Sequence, residues 1–119
     1  MQWKKAATPQ RDCQYEVAIL RVDPQTQATQ MLIRRAENCH VPRHWHTASE
    51  AITVISGTFI LECDGKRETL AAGSFAYVPS RTVHQVWTKA DEGSLGVVAM
   101  DGPMDAHWVE GTPPTPKKP

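Results

Sequence analysis

Hydrophobic and polar positions alternate in short runs along this chain, a pattern typical of β-strands. Turn signals such as Asp-Pro, Asp-Gly and Ala-Gly-Ser separate the runs, and no stretch shows a convincing helical period. Many short strands with regular turns indicate an all-β sandwich or barrel. The runs that predict strands are 15–22, 27–36, 50–55, 58–63, 66–70, 75–78, 84–88, 94–100 and the short 106–110.

The breaks between the runs indicate one domain with two peripheral segments. Gly57 is expected to turn one strand into the next, and Asp64-Gly65 is the strongest hairpin signal. Residues 38–43 are expected to form a loop, because Pro42 lacks the N–H that a central strand donates. The predicted organisation is an arm over residues 1–13 anchored by Trp3, a barrel over 14–110, and a flexible proline-rich tail over 111–119.

Composition and charge exclude several classes of partner. The chain has 119 residues, 40% hydrophobic and 22% charged, as in an ordinary globular domain with a hydrophobic core. Its 13 Lys and Arg residues balance 13 Asp and Glu residues, so we expect no nucleic acid and no anionic membrane surface as partner. No apolar run approaches the roughly 20 residues that span a bilayer.

The cysteines and the N-terminus favour a reducing cytoplasm. Cys13, Cys39 and Cys63 are an odd number without regular spacing, which argues against a disulfide framework. Buried free thiols are the expectation for all three, although Cys39 is close enough to the histidines described next to be a conceivable metal ligand. The first residues are basic but lack a following apolar stretch, unlike a secretory signal.

The chemistry of the chain is concentrated around His44 and His46. Residues two apart lie on the same side of an extended strand, and Glu50 follows at short spacing. Imidazole and carboxylate on one face suit a first-row divalent metal. A lone histidine pair is more often a surface pair or is held by backbone hydrogen bonds. The nearby carboxylate and the distant His84, in a strand-like run after Pro79, favour a metal site here.

The segment around the histidine pair resembles the first motif of the cupin superfamily, and within it the small single-domain conserved-barrel (cupin 2-like) proteins. That motif is a glycine, five residues, His-x-His, three or four residues, Glu, six residues and a glycine. His44, His46, Glu50 and Gly57 fit this spacing. The leading glycine is Asn38 here, a mild departure because Asn tolerates the left-handed backbone almost as glycine does.

A second segment resembles the second cupin motif, which is glycine, five residues, Pro-x-Gly, two residues, His, three residues and Asn. Gly73, Pro79 and His84 fit, whereas the inner glycine is Arg81 and the final Asn is Thr88. If that turn needs positive φ, a long side chain at Arg81 is strained there, which would hint at function. The reading we favour is that Arg81 is an ordinary exposed loop residue.

The resemblance implies a cupin double-stranded β-helix, or jelly-roll barrel, a fold that closes its sheets. It implies that one divalent transition metal per chain, iron, manganese, nickel, copper or zinc, is bound by His44, His46, Glu50 and His84. One or two open positions would remain for water or substrate, as in a catalytic site.

Side chains on the same strand faces as the expected ligands are candidates for the wall of a narrow, mostly apolar pocket. Core packing is the commoner role for each of them. His40 and His107 lie outside both motifs and are expected at the surface. The candidate wall residues are Ile52, Val54, Phe59, Leu61, Phe75, Tyr77 and Val86.

The complete ligand set favours a metalloenzyme of the dioxygenase type acting on a small molecule that chelates through oxygen. The alternatives are a non-catalytic module that binds metal or a small ligand and, ranked lower, an isomerase or lyase, which needs a general base that the sequence does not show. Trp45, Trp87 and Trp108 are expected to point outward, and with the resemblance they predict a homodimer.

Overall fold

The computed structural model describes residues 1–6, 13 and 15–109, and these residues form ten β-strands. Four of them, β2, β7, β8 and β9, have the bounds that the alternating pattern predicts. Within the described residues no helix is long and apolar enough to cross a membrane. The strands are β1 (Lys4–Lys5), β2 (Tyr15–Val22), β3 (Thr29–Arg35), β4 (His40–Trp45), β5 (Glu50–Cys63), β6 (Lys66–Ala71), β7 (Phe75–Val78), β8 (His84–Thr88), β9 (Ser94–Met100) and β10 (His107–Trp108).

The long strand β5 joins the two sheets of the barrel. Its first half pairs with β9 and β7, and its second half pairs with β8 and β6, all antiparallel. Gly57 lies where the halves meet, with φ of 73°. A side chain at Gly57 would overlap the carbonyl oxygen of Gly93, so glycine is required there. The expectation that Gly57 separates two strands is wrong, because the positive φ bends β5 without ending it.

The remaining strands extend each sheet outward from β5. One sheet runs β1-β2-β3-β9-β5-β7 and the other runs β10-β4-β8-β5-β6. Along β9 and β8 alternate side chains are buried, which places a hydrophobic core between the sheets. The core includes Met31, Ile33, Phe59, Val98 and Met100. The all-β jelly-roll architecture expected from the sequence is confirmed.

The segment predicted as a loop before the histidines is strand from His40 onward. β4 pairs with β8, and the register shifts between Val41 and His44. This irregularity contains Pro42, which therefore interrupts no regular ladder. Asn38, just before the strand, has φ of 56°, the left-handed conformation that asparagine tolerates.

The N-terminal segment is attached to the barrel at three points. Lys4–Lys5 pairs with β2, and the Trp3 ring lies 3.9 Å from the guanidinium carbon of Arg34. Cys13 and Cys39 form a disulfide with their Cα atoms 4.4 Å apart. The expected free thiols are therefore wrong for these two cysteines, and Cys39 is not available as a metal ligand. The argument for a reducing compartment assumed three free thiols and therefore no longer holds. Cys63 is a free cysteine. The predicted tail, 111–119, lies outside the described residues.

The three tryptophans that predicted a dimer are all partly buried within one chain. Trp45 stacks on His107 with ring centroids 4.0 Å apart, and Trp87 stacks on His40 at 5.0 Å. Trp108 packs against the hydrophobic core, so the expectation that it points outward is wrong. Contacts inside the chain thus account for these rings, and the homodimer stays a prediction.

Candidate metal centre

Four buried polar side chains meet inside the barrel at the ends of three strands. His44 belongs to β4, His46 follows its last residue, and Glu50 and His84 are the first residues of β5 and β8. Antiparallel pairing sets His44 directly opposite His84. All four side chains are buried, with His84 only 2% exposed. The structure therefore brings together every residue that the cupin motifs assign as a ligand.

The distances within this histidine cluster are close to those of a metal site. The ligating nitrogens of His44, His46 and His84 lie within 4.8 Å of one another. The Nε2 atoms of His84 and His46 are 3.6 and 3.8 Å from the two carboxylate oxygens of Glu50. Two ligands of one metal, each about 2.1 Å from it, are at most about 4.2 Å apart. Small side-chain movements suffice to close the cluster around an ion.

Each imidazole of the cluster is oriented by a backbone carbonyl. The Nδ1–H groups of His44 and His84 donate to the carbonyls of Pro42 and Thr82 at 2.6 and 2.9 Å, and that of His46 donates to the carbonyl of Asp105. Because a carbonyl can only accept, these bonds place the proton on Nδ1 and leave the Nε2 lone pair for a metal. The tautomer is thus set before any ion binds.

The charge states of the cluster also fit a cation. Burial, followed by the neighbouring His84, lowers the pKa of His44 from 6.5 to about 3, so this imidazole is neutral at physiological pH. Burial alone would raise the pKa of Glu50, but the neighbouring His84, His46 and Arg35 outweigh burial and hold this pKa below its ordinary value. Neutral imidazole and ionised carboxylate are the metal-binding forms of these groups.

Two carboxylates that sequence reasoning missed hold the segment between His46 and Glu50. Asp105 accepts from the N–H and hydroxyl of Thr47 at 2.9 and 2.6 Å, and Asp101 accepts from the same groups of Ser49 at 2.8 and 2.7 Å. Both carboxyl groups have lowered pKa values: the hydrogen bonds from Ser49 lower that of Asp101, and at Asp105 the hydrogen bonds from Thr47 and His107 together outweigh burial. More than 50 residues separate each pair, so no local motif marks them.

The turn before His84 adopts the conformation for which the second motif has glycine. Arg81 has φ of 62° and an exposed side chain. The side chain is exposed, as expected for an ordinary loop residue, but the backbone is in the left-handed region, as expected for a strained turn. The N–H of Arg81 donates to the carbonyl of His46 at 2.8 Å. This turn fixes the position of His46 through its backbone.

The side chains predicted to line the pocket separate into two groups. Five are buried in the core: Ile52, Val54, Phe59, Leu61 and Val86. Their contact with a ligand stays a prediction. Phe75 and Tyr77 are 63% and 57% exposed, so the expectation that they form the inner wall is wrong. The alternation along β7 directs Ala76 and Val78 inward instead.

A second polar group inside the barrel was not predicted. Tyr15 and Arg35 are direct partners across β2 and β3, on the face that also carries the buried Ile33. The guanidinium carbon of Arg35 lies 5.1 Å from the Tyr15 ring centroid and 5.7 Å from that of Phe59. Burial raises the pKa of Tyr15, with the charge of Glu50 adding to the effect and that of Arg35 opposing it. A protonated phenol and a cation therefore lie near the carboxylate of the cluster.

Comparison with known proteins is consistent with this barrel. The sequence matches the family model of the cupin domain over residues 31–100, more than half of the chain. Among curated proteins none matches it. A cupin-like protein from Thermotoga maritima has a similar structure, with 17% identity, a TM-score of 0.74, and 89% of this chain and 86% of that chain covered.

Two further similar structures carry the names of enzymes. The DMSP lyase DddQ from Ruegeria pomeroyi shares 17% identity at a TM-score of 0.78, covering 92% of this chain but only 61% of its own. A predicted oxalate decarboxylase from Thermotoga maritima shares 14% identity at a TM-score of 0.70, covering 83% of this chain and 90% of that chain. At these identities the likeness shows the fold alone.

Proposed function

This chain belongs to the cupin domain family, and on that premise we propose that it is a metal-dependent enzyme acting on a small organic molecule, of the dioxygenase type. The observation that carries the proposal is the set of three imidazoles whose Nδ1 atoms are held by carbonyls while their Nε2 atoms converge beside Glu50. We assign Glu50 as the fourth ligand. Iron, manganese, nickel, copper and zinc all suit this donor set.

The chain contributes position and charge to the reaction. A bound divalent metal would act as a Lewis acid and hold substrate and O₂ side by side. Burial keeps the His44 imidazole neutral, and Glu50 is ionised, so no proton must be displaced from His44 when the cation enters at neutral pH. The hydrogen bonds from Thr47 to Asp105 and from Ser49 to Asp101, here called the clamps, keep the ligand-bearing segment in place. The segment therefore needs less reorganisation when a metal binds.

A lyase is the second candidate, favoured by a polar residue beside the cluster. The sequence ranked this class low for lack of an inward general base, and the partly buried phenol of Tyr15 is a polar group near Glu50. The DMSP lyase and the predicted oxalate decarboxylase among the similar structures are named for bond cleavage. The raised pKa of Tyr15 makes it a hydrogen-bond donor at neutral pH rather than a base, so we keep it second.

Metal content followed by oxygen dependence tests the proposal. Protein purified without a histidine tag should contain about one equivalent of transition metal after reconstitution, and we would then screen small oxygen-chelating acids. Substrate loss coupled to O₂ uptake on an oxygen electrode supports the dioxygenase, whereas equal turnover under argon supports the lyase. Absence of any tightly bound metal after reconstitution with each of the five candidate ions would contradict both and favour a non-catalytic binding protein.

A further inference from the structure

Arg35 has an unmet hydrogen-bonding demand inside the barrel. Its Nε–H is buried, and no protein atom among the described residues accepts from it. The guanidinium is always charged, and a buried N–H group without an acceptor is costly. The two rings that Arg35 contacts, those of Tyr15 and Phe59, offer π faces but no strong acceptor. The described part of the chain therefore leaves this edge of Arg35 open to a bound group.

The surroundings of Arg35 define what that group can be. Arg35 faces the same core as the histidine cluster and lowers the pKa of Glu50 by its charge. Tyr15, opposite it on β2, has a raised pKa and so a protonated hydroxyl that can donate. Two donors, one cationic and one neutral, thus lie near the carboxylate of the cluster.

We propose that Arg35 and Tyr15 bind the carboxylate of the substrate, while a second oxygen of the same molecule reaches the metal held by His44, His46, Glu50 and His84. This inference rests on the proposed function and narrows its substrate class to small monocarboxylates that carry another oxygen. The planar fork of a guanidinium matches the two oxygens of a carboxylate. The negative charge of Glu50 nearby disfavours a dianion such as a phosphate monoester.

Binding of matched acids and amides tests this assignment. The probes are glycolate, 3-hydroxypropionate and 4-hydroxybutyrate, each beside its neutral amide, titrated into metal-loaded protein in a calorimeter. At least one acid should bind about tenfold or more tightly than its amide, because charge-assisted hydrogen bonds to a guanidinium are lost in the amide. Arg35→Met should abolish that preference, and Tyr15→Phe should reduce it several-fold.

Arg34→Met is the matched control. Arg34 is the neighbouring arginine on β3, exposed and paired with Glu16 at 3.0 Å on the outer face. It should keep both the metal and the preference for the acid. Arg35→Lys, which keeps the charge but not the fork, should show an intermediate preference and replaces Arg35→Met if that variant does not fold.

Metal content separates the failure of this inference from failure of the proposed function. Arg35→Met protein that retains the metal and still prefers the acid overturns the assignment, as does wild-type protein that binds acid and amide equally or binds neither. A wild-type protein that holds no metal but prefers an acid in an Arg35-dependent way overturns the metalloenzyme and supports the anion site alone.

Discussion

The histidine cluster and the Arg35–Tyr15 pair lie inside one barrel but differ in how far their N–H groups have hydrogen-bond acceptors within the protein. In the cluster each Nδ1–H already has a carbonyl partner, and for His44 and His84 that carbonyl is two residues away. Arg35 contacts the rings of Tyr15 and Phe59, and its buried Nε–H has no protein acceptor among the described residues. The first region is preorganised for a cation by backbone carbonyls, two of them local and one, that of Asp105, distant in sequence. The second is formed by the pairing of Tyr15 with Arg35 across two strands, and we propose that it binds an anion.

Removing one histidine of the cluster should have the largest effect, because it takes away a metal ligand. We expect His84→Ala to lose nearly all bound metal, because three ligands remain around a cavity and the neighbouring Glu50 loses its closest imidazole partner. The barrel should stay folded, since its core is apolar and independent of the ion. Elemental analysis measures the metal, and circular dichroism checks the fold.

His40→Ala is the control for that experiment. His40 stacks on Trp87 and lies outside the cluster, so its loss should leave the metal stoichiometry at the wild-type value. Unchanged metal content in both His84→Ala and His46→Ala would contradict the ligand assignment.

Cutting a clamp should weaken the cluster without destroying it. Asp105→Ala removes both acceptors of Thr47, so the segment that carries His46 gains freedom. Groups that orient metal ligands typically contribute about 10–100-fold to metal affinity, and we expect a loss in that range in a competition titration with a chromophoric chelator. Asp23→Ala, which removes an acceptor in the exposed turn between β2 and β3, should leave the affinity unchanged. Equal affinities in all three proteins would show that the clamp is only structural.

The charge states of the two regions differ in their response to acid. His44 has a folded pKa of about 3 against an ordinary value of 6.5, so between these values the unfolded chain binds a proton that the folded chain does not. Stability therefore rises with pH across this window, and falls as pH drops from 6.5. Arg35 stays charged throughout. Urea unfolding of metal-free protein at pH 6.5 and 5 should show a lower free energy of unfolding at pH 5.

His44→Gln is the reference for the acid experiment, because it removes the group that titrates. Its free energy of unfolding should change less between pH 6.5 and 5 than that of the wild type. Equal changes in both proteins would assign the pH dependence to other groups.

The cluster was predictable from sequence because its spacing is local. His44, His46 and Glu50 lie within one short segment, and the second motif supplies His84 in a comparable context. Arg35 was harder to find, since two arginines are adjacent and only strand phase tells them apart. That phase was available in principle: Met31 and Ile33 are buried, and period two then directs Arg35 inward and Arg34 outward.

Other features depended on contacts that no local pattern contains. In β7 both faces carry apolar residues, so hydrophobicity alone gave no phase, and the larger Phe75 and Tyr77 were wrongly placed inward. The Cys13–Cys39 disulfide joins residues 26 apart that only the closed barrel brings together. Clamps such as Asp101 to Ser49 depend on the same closure.

The smallest expected effect concerns the turn that helps to finish the histidine cluster. Arg81 has φ of 62°, where a residue with a Cβ is disfavoured by about 1 kcal/mol or more relative to glycine. Glycine also adds freedom to the unfolded chain, which costs roughly 0.5–1 kcal/mol. Arg81→Gly should therefore be neutral or more stable by up to about 1 kcal/mol in urea unfolding.

Lys66→Gly is the control, at an exposed strand position without positive φ, and should be destabilised by about 0.5–1 kcal/mol. Metal affinity should not change in Arg81→Gly, because the bond to His46 is made by the backbone N–H, which glycine retains. A large loss of stability or of metal would show that the Arg81 side chain itself supports the cluster.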